Sequence, residues 1–289
     1  MSHVELFDQH RTLLFSIAYR ILGSVMDAED LLQEAFLRWQ EVELREVDSA
    51  KAFLTTVVTR LSIDHLRLAR VQRESYIGPW LPEPLMTSER PGLMETAIER
   101  DSLSIAFMFL LERLTPVERA AFILRDVFDY EYAEIADVVD KSPQNVRQLV
   151  SRARRHLQDE RPRFDVSIDE QQRIMMQFVQ AVSEGDVESL QSVLAEDVVH
   201  YSDGNGMPGA ARKPILGIEK WMRFFFGLQR LAPEGLGIRM LEVNGTPAIL
   251  FEVDGAPYAT LSFDFADGCI INSYGVVNPE KLKALSLGV

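Results

Sequence analysis

The stretch from Asp129 to Leu157 constrains this chain most, because it reads as two short helices joined by a tight turn, the helix-turn-helix pattern of DNA-binding proteins. Tyr132, Ile135, Ala136 and Val139 give the first helix an inner face, and Ser142 followed by Pro143 gives the second an N-cap with proline at its first position. At about 100° per residue, Val146, Leu149, Val150, Ala153 and Leu157 gather on one side of that helix. Gln144, Gln148, Ser151, Arg152 and Arg155 gather on the other, where Arg and Gln side chains can meet purine edges and phosphates. Five cationic residues lie between Lys141 and Arg155 with no acid among them, which favours DNA over the plainer alternative of a solvated basic face.

The whole chain is nevertheless acidic, with a formal charge of −14 over 289 residues. Residues 1–160 carry 19 basic and 27 acidic side chains and the remainder 11 and 17, so both halves are negative, by 8 and by 6. DNA contact must therefore come from local patches. One is 141–155; Arg60, Arg67, Arg70 and Arg73, with only Asp64 among them, form another. Two small patches on an acidic body predict weak, salt-sensitive binding alone, with a partner supplying further affinity. The single Cys269 excludes an internal disulfide, and no Cys/His cluster has metal-binding spacing. No apolar run is long enough to cross a membrane, and the N-terminus lacks the order of a signal peptide, so a cytoplasmic protein is expected.

Helical periodicity predicts helices over 5–22, 27–39 and 49–73, forming a first all-α domain, 1–75. A Pro-rich linker follows over 76–100, and within it Trp80-Leu81-Pro82-Glu83-Pro84 places a tryptophan that either docks on a surface elsewhere or folds back on its own domain. Helices over 102–114 and 115–128, the latter with Thr115, Pro116 and Glu118 at capping positions, lead into the helix-turn-helix and complete a second all-α domain, 101–160. After a linker at 161–167, residues 168–289 read as an α+β domain. Its helices are expected at 169–184, 187–194 and 218–231. Its strands are expected at 198–202 and then at 238–243, 248–253, 258–265 and 270–277, the last four separated by Asn-Gly and Asp-Gly turns.

Residues Asp27 to Phe36, followed by Trp39, resemble the core-polymerase-binding segment of bacterial extracytoplasmic function (ECF) sigma factors. Residues 51–73 resemble the helix of that family's second domain, which melts and reads the −10 element, and 115–157 resembles the fourth domain, which reads the −35 element. The tail, roughly 168–285, is similar to SnoaL-like polyketide cyclase domains, a cone-shaped α+β fold with a curved sheet, carried by one group of these sigma factors. That group's linker motif stands here as Trp80–Pro84 and its C-terminal motif as Asn278-Pro279-Glu280-Lys281-Leu282. A third, Asp-Gly-Gly-Gly-Lys, is only partly present as Asp203-Gly204-Asn205-Gly206-Met207, and Asp140 stands where the helix-turn-helix usually has glycine.

The resemblance implies that Asp27, Asp30, Gln33, Glu34, Phe36 and Trp39 dock on core RNA polymerase, although Phe36 and Trp39 also read as internal core. It implies that Asp64, Arg67 and Arg70 lie near the opened −10 strand, and that Ser142, Gln144, Asn145, Arg147, Gln148, Ser151, Arg152 and Arg155 face the −35 element. Trp80, Leu81, Pro82, Glu83 and Pro84, with Asp203, Gly204, Asn278, Pro279, Glu280 and Leu282, are expected to form a regulatory contact between tail and linker. A catalytic tail would need an acid or base in an apolar pocket, and His200, Asp203, Asp264 and Tyr258 are the available groups. The expected protein is thus a promoter-specificity factor and not an enzyme. It would work with RNA polymerase core and promoter DNA, without cofactor, metal or membrane and with no separate anti-sigma partner required, and a small molecule could occupy its tail. The alternatives are a cyclase-like enzyme carrying a DNA-binding module and a ligand-sensing repressor or activator, which would have no need of the 27–39 segment.

Overall fold

The computed structural model describes residues 1–88, 90, 92–94, 96–158 and 166–286. Most of the expected 161–167 linker lies outside the described residues. By its contacts the chain forms two units, the first of Met1–Ser75, Pro91–Leu103 and Leu110–Arg161, the second of Tyr76–Arg90, Ser104–Phe109 and Pro162–Val289. Three domains joined by linkers were expected, with Trp80–Pro84 of the first linker in contact with the tail. The regrouping has a physical cause in the linker, whose Leu81, Leu85 and Met86 are buried, the first and last in the core of the C-terminal α+β domain.

The first unit is all helix. Helix α1 (His3–Leu22) starts with a capping box of Ser2 and Glu5 and stops at Gly23, whose left-handed φ of 72° favours glycine. Helix α2 (Val25–Gln40) begins two residues earlier than the acidic run predicts, because Ser24 caps it by accepting from the Asp27 amide. Helix α3 (Ala50–Arg73) agrees with expectation to one residue. Helix α4 (Ala97–Asp101) lies inside the expected linker, set by a capping box of Thr96 and Glu99, so the helix expected over 102–114 shrinks to α5 (Ile105–Leu111). Helix α6 (Pro116–Phe122) runs into a π-helical turn at Ile123–Val127. The motif itself is α7 (Tyr132–Val139) and α8 (Pro143–Gln158), joined through Asp140 in the left-handed region at φ 52°.

Buried cations bind this unit together. Arg20 is wholly buried and donates to Ser102 Oγ (2.9 Å) and the Glu99 carbonyl (2.7 Å); burial pulls its pKa down to about 10. Arg119, also wholly buried, donates to the Arg20 carbonyl (3.0 Å) and pairs with Glu112, which also meets Arg73 at 2.6 Å. Burial pushes the Glu112 carboxyl up, but Arg119 and Arg73 outweigh it and hold the group below its ordinary value.

The second unit holds α9 (Ile168–Glu184), α10 (Val187–Ser192), β1 (Leu194–Asp203), β2 (Ile215–Leu216), α11 (Ile218–Arg230), β3 (Leu236–Val243), β4 (Thr246–Val253), β5 (Ala256–Ala266), β6 (Cys269–Val276) and α12 (Pro279–Ser286). Strand order is β2-β1-β6-β5-β4-β3. The β3 to β6 meander turns at Asn244-Gly245, Asp254-Gly255 and Asp267-Gly268, each with both residues at positive φ, as a two-residue hairpin turn requires. Strand β1 pairs in parallel with β6 and starts four residues earlier than expected, while the short β2 carries no periodicity long enough to read. One sheet face packs Phe263, Phe265 and Ile270 against Ile174, Phe178 and Trp221; the other gathers Leu250, Tyr274 and Val276 with Leu81, Met86 and Leu282.

The Glu112 triad yields a prediction. Glu112→Ala leaves the Arg119 guanidinium buried without its counter-charge, which should cost about 3–5 kcal/mol in urea unfolding. Because the folded-state pKa of Glu112 is depressed, its contribution is present at neutral pH and is lost as pH falls below the ~4.3 of a free glutamate. Acid-unfolding curves of wild type and Glu112→Ala should therefore converge at low pH.

Candidate functional site

Three surfaces carry the sequence-predicted residues. The most fully built is the seat of the linker on the C-terminal domain. Asp203, at the end of β1, is 0% exposed and forms an ion pair at 2.6 Å with Lys281, itself 5% exposed. The same Asp203 oxygen accepts the Leu81 amide at 2.6 Å, and its other oxygen accepts the Tyr76 hydroxyl. Lys281 Nζ donates also to the Leu81 carbonyl and sits 3.8 Å from the Trp80 ring centroid, a cation–π contact. Asn278 Oδ1 caps α12 through the Glu280 amide (3.1 Å), and its Nδ2 donates to the Tyr76 hydroxyl (2.9 Å).

Beyond that knot the linker runs as a buried strap from Leu81 to Thr87. Leu85 N–H donates to Asn244 Oδ1 and the Asn244 N–H returns a bond to the Leu85 carbonyl, both at 2.9 Å. Met86 pairs with Val243 in an antiparallel bridge, covering part of the edge strand β3, and Thr87 Oγ1 donates to Glu242 (2.7 Å). Gly204 is pinned beside Asp203: a Cβ there would collide with the Ala210 side chain and come within 2.8 Å of Val277 Cγ2. Of the residues expected here, Trp80 to Pro84, Asp203, Gly204, Asn278 and Leu282 converge, whereas Pro279 and Glu280 are exposed. Lys281, Tyr76 and Asn244 complete the seat and were absent from the expected set. A buried aspartate demands a counter-charge, and Lys281 is the one cation inside the Asn278–Leu282 motif, so a signal for it existed.

The second surface is α8. Val146, Leu149, Val150, Ala153 and Leu157 are buried, and Gln144, Arg147, Gln148, Ser151, Arg152 and Arg155 line one open groove on the other side. Ser142 Oγ accepts from the Asn145 amide (3.2 Å) and so is the N-cap. Arg147 lies over the Tyr132 ring at 5.1 Å, and Arg152 pairs loosely with Glu118 at 3.6 Å. Arg154, outside the expected set, is held bidentate by Asp126 at 2.9 and 2.7 Å.

On α3, Asp64 and Arg67 pair with each other on the surface at 2.8 Å. Arg70, expected at the DNA, instead donates to the carbonyls of Glu112 and Leu114. Arg60 donates likewise to the Val138 (2.9 Å) and Asp137 (2.7 Å) carbonyls, and Arg73 meets Glu112. All four arginines of this patch thus have partners within the first unit, Arg67 through a surface ion pair alone.

The third surface is α2. Asp30, Gln33 and Glu34 are exposed, Glu34 pairing with Arg38 at 2.5 Å. Asp27 is tied to His65 at 3.3 Å, a contact that raises the His65 pKa and lowers that of Asp27. Phe36 is half-buried against Phe7. Trp39, expected on the docking face, is 0% exposed and donates its Nε1–H to the His3 carbonyl (2.9 Å), so it serves the core. Leu37, 62% exposed and two helical turns beyond Asp30, is the large apolar residue this face does present.

Comparison with known proteins follows the same division. Residues 6–71 match the family model for sigma-70 region 2, and 104–157 that for sigma-70 region 4. The chain is 36% identical over 293 aligned positions to the ECF RNA polymerase sigma factor SigJ of Mycobacterium tuberculosis (strain ATCC 25618 / H37Rv), covering 97% of this chain and 93% of that protein. It is 29% identical over 286 positions to the probable ECF RNA polymerase sigma factor SigI of the same strain, covering 96% and 93%. The crystal structure of M. tuberculosis SigJ matches the fold with a TM-score of 0.78 at 33% identity, covering 97% of this chain and 98% of that one.

The linker seat makes a quantitative prediction. Lys281→Met or Asp203→Asn alone leaves the partner short of its counter-charge, and each should destabilise the C-terminal domain by about 3–5 kcal/mol. The double variant should cost less than the sum, because no unpaired charge remains. Urea unfolding of the four proteins, with protease accessibility of the Trp80–Thr87 strap, measures both effects; additive losses would contradict a direct pair.

Proposed function

The chain belongs to the ECF RNA polymerase sigma factors, with sigma-70 regions 2 and 4 and a SnoaL-like C-terminal domain, and from that premise we propose that the C-terminal domain regulates promoter recognition in cis by holding the linker between the two sigma regions. The observation that carries this reading is the buried strap, with Leu81 bonded at both its amide and carbonyl by the Asp203–Lys281 pair. A linker of roughly 20 residues could span about 70 Å when extended. With its middle residues fixed on another domain, far less of that reach is available, and the spacing of the two DNA-reading regions is restricted.

In this reading the polymerase-docking face is Asp30, Gln33, Glu34 and Leu37 on α2, an acidic surface with one apolar anchor suited to a basic partner. Promoter contact at the −35 element falls to Gln144, Arg147, Gln148, Ser151, Arg152 and Arg155. Contact at the −10 element falls to Asp64, Arg67 and Arg70, of which Arg70 first has to leave the Glu112 and Leu114 carbonyls. The arrangement of the first unit is accordingly the held state. The fused domain supplies the restraint at high effective concentration, so the factor works without a separate anti-sigma protein. It acts where the polymerase is, in the cytoplasm.

The C-terminal domain acts as a regulator rather than a catalyst. Its candidate acid–base groups are dispersed: Asp203 is committed to Lys281 and the linker, and Asp264 is bonded to Tyr274 (2.7 Å) and Asn272 (3.1 Å). Burial pushes the Asp264 pKa up to about 6 and that of His200 down to about 4. Of the four, His200 and Tyr258 line the cavity between α11 and the sheet, and the two aspartates do not.

Run-off transcription with purified core enzyme tests the proposal. The protein should confer start-site selection on core. Arg155→Ala should lower promoter binding and flatten its salt dependence by about one counterion. Lys281→Met, which frees the strap, should raise promoter-specific output. Absence of start-site selection would reject polymerase function; unchanged output from Lys281→Met would reject control through the linker.

A further inference from the structure

Charge is unevenly placed on the C-terminal domain. Residues 161–289 carry 11 basic and 17 acidic side chains, yet the short stretch 212–230 holds five of the basic ones and a single acid, Glu219. Among the described residues, the domain's other cations are all ion-paired: Arg173 with Glu170, Arg239 with Glu252, Lys281 with Asp203 and Lys283 with Glu280. Arg212, Lys213, Lys220, Arg223 and Arg230 are all exposed, and among the described residues none of them has an ion pair or a side-chain hydrogen bond. Glu219 precedes Arg223 by four residues, the spacing of helical ion pairs, and still the two do not pair.

These cations border a groove of about 620 Å³ between α11 and the loop that leads into β2. Lys220 and Arg223 line it, Ile215, Phe224 and Leu228 give it an apolar wall, and among the described residues no Asp or Glu does so. The groove is distinct from the cavity between α11 and the sheet, which among the described residues no Asp, Glu, Lys or Arg lines. At about 100° per residue, Lys220, Arg223 and Arg230 fall within an arc of about 80° on α11, spread over about 15 Å of its length. Gly227 lies inside the same arc. A Cβ there would meet nothing within 4 Å, so packing does not ask for glycine, and helix propensity opposes it. Its effect is to leave the helix surface bare among the cations, where another chain's backbone can come close.

We propose that this face of α11 holds the sugar–phosphate backbone of promoter DNA, a sequence-independent contact additional to the α8 groove; it rests on the promoter-binding reading above. The occupant has to be anionic, because the domain supplies these cations with no counter-charge. It also has to present apolar surface to the wall of the groove. A sugar–phosphate strand does both, with deoxyribose faces between phosphates that follow one another about every 3.4 Å along the duplex axis. About 15 Å of helix thus runs beside four or five phosphates of one strand, enough to engage three cations. DNA is the polyanion that a sigma factor's own work brings to it. The contact also answers the acidity of the chain: the arginines of α3, expected as the second DNA patch, have partners within the first unit, whereas these five have none among the described residues.

Fluorescence anisotropy of holoenzyme, formed from the full chain and purified core, on a labelled promoter duplex between roughly 50 and 200 mM salt tests the assignment. Lys220→Gln with Arg223→Gln should weaken binding several-fold, as much on an unrelated duplex as on the promoter, and reduce the slope of log affinity against log salt by about two. The charge-keeping pair Lys220→Arg with Arg223→Lys should keep the slope of the wild type. Gly227→Glu, which sets an acid among the cations, should weaken binding as the double variant does. Arg173→Gln, a cation lost elsewhere on the domain, should change nothing. An unchanged slope in the double variant would overturn the proposal, as would a loss confined to the promoter sequence. So would weaker binding to core with no change on DNA, the mark of a protein-docking face. Arg155→Ala measured alongside separates the two readings: a lower slope there, with none in the groove variants, rejects the groove contact alone, and no change in either rejects promoter binding as well.

Discussion

The buried ion pair of Asp203 and Lys281 is the constraint on which the C-terminal domain's dealings with the rest of the chain depend. Two charges removed from water are stable only when every remaining lone pair and proton is used, and here the linker uses them. Leu81 satisfies both members through its backbone, so the pair recognises the position of the chain rather than a side chain. Side-chain selectivity comes from the ring of Trp80 over Lys281 and from Tyr76, which bridges Asp203 and Asn278. A purely apolar seat would hold the strap as firmly but would let it slide; a charged one fixes a single register. Such a contact is also easily reversed, since the freed charges regain their hydration in the open state.

What was legible in the sequence follows from how local the cause is. Ser142-Pro143 sets the start of α8, and the Asn-Gly and Asp-Gly pairs set the three hairpin turns, because each acts on its own backbone. Trp80 was legible as an anomaly, a large aromatic in a Pro-rich linker, without its partner being readable. The rest was fixed by tertiary contact. Trp39 keeps helical spacing with both the core and the exposed side of α2, and only the His3 carbonyl decides between them. Lys281 looks like an ordinary surface lysine at the start of a helix until Asp203 is found buried beside it. The short β2 and the early start of β1 depend on partners distant in sequence.

The arginines of α3 show a further limit of reading charge from sequence. Arg60, Arg67, Arg70 and Arg73 form a cationic stripe, and a stripe on an acidic chain reads as a nucleic-acid contact. In the folded unit Arg60 and Arg70 are hydrogen-bonded to main-chain carbonyls, and Arg73 is ion-paired with Glu112. Guanidinium groups suit this double service, because their donors satisfy carbonyl oxygens as readily as phosphate. Among the described residues the α8 groove has no such intramolecular claimants beyond Glu118 and the Tyr132 ring, so the two patches differ in availability although their compositions are alike.

Strand β1 connects these constraints. Its alternation divides successive residues between two surfaces: His200 and Ser202 belong to a charge-free cavity, Tyr201 and Asp203 to the linker seat. The loop that follows continues the division, for Asn205 accepts from the Ile77 amide (3.3 Å) while Pro208 and Gly209 line the cavity. Gly204 has no room for a side chain between Ala210 and Val277, so the turn that leads from the linker seat into this loop requires glycine.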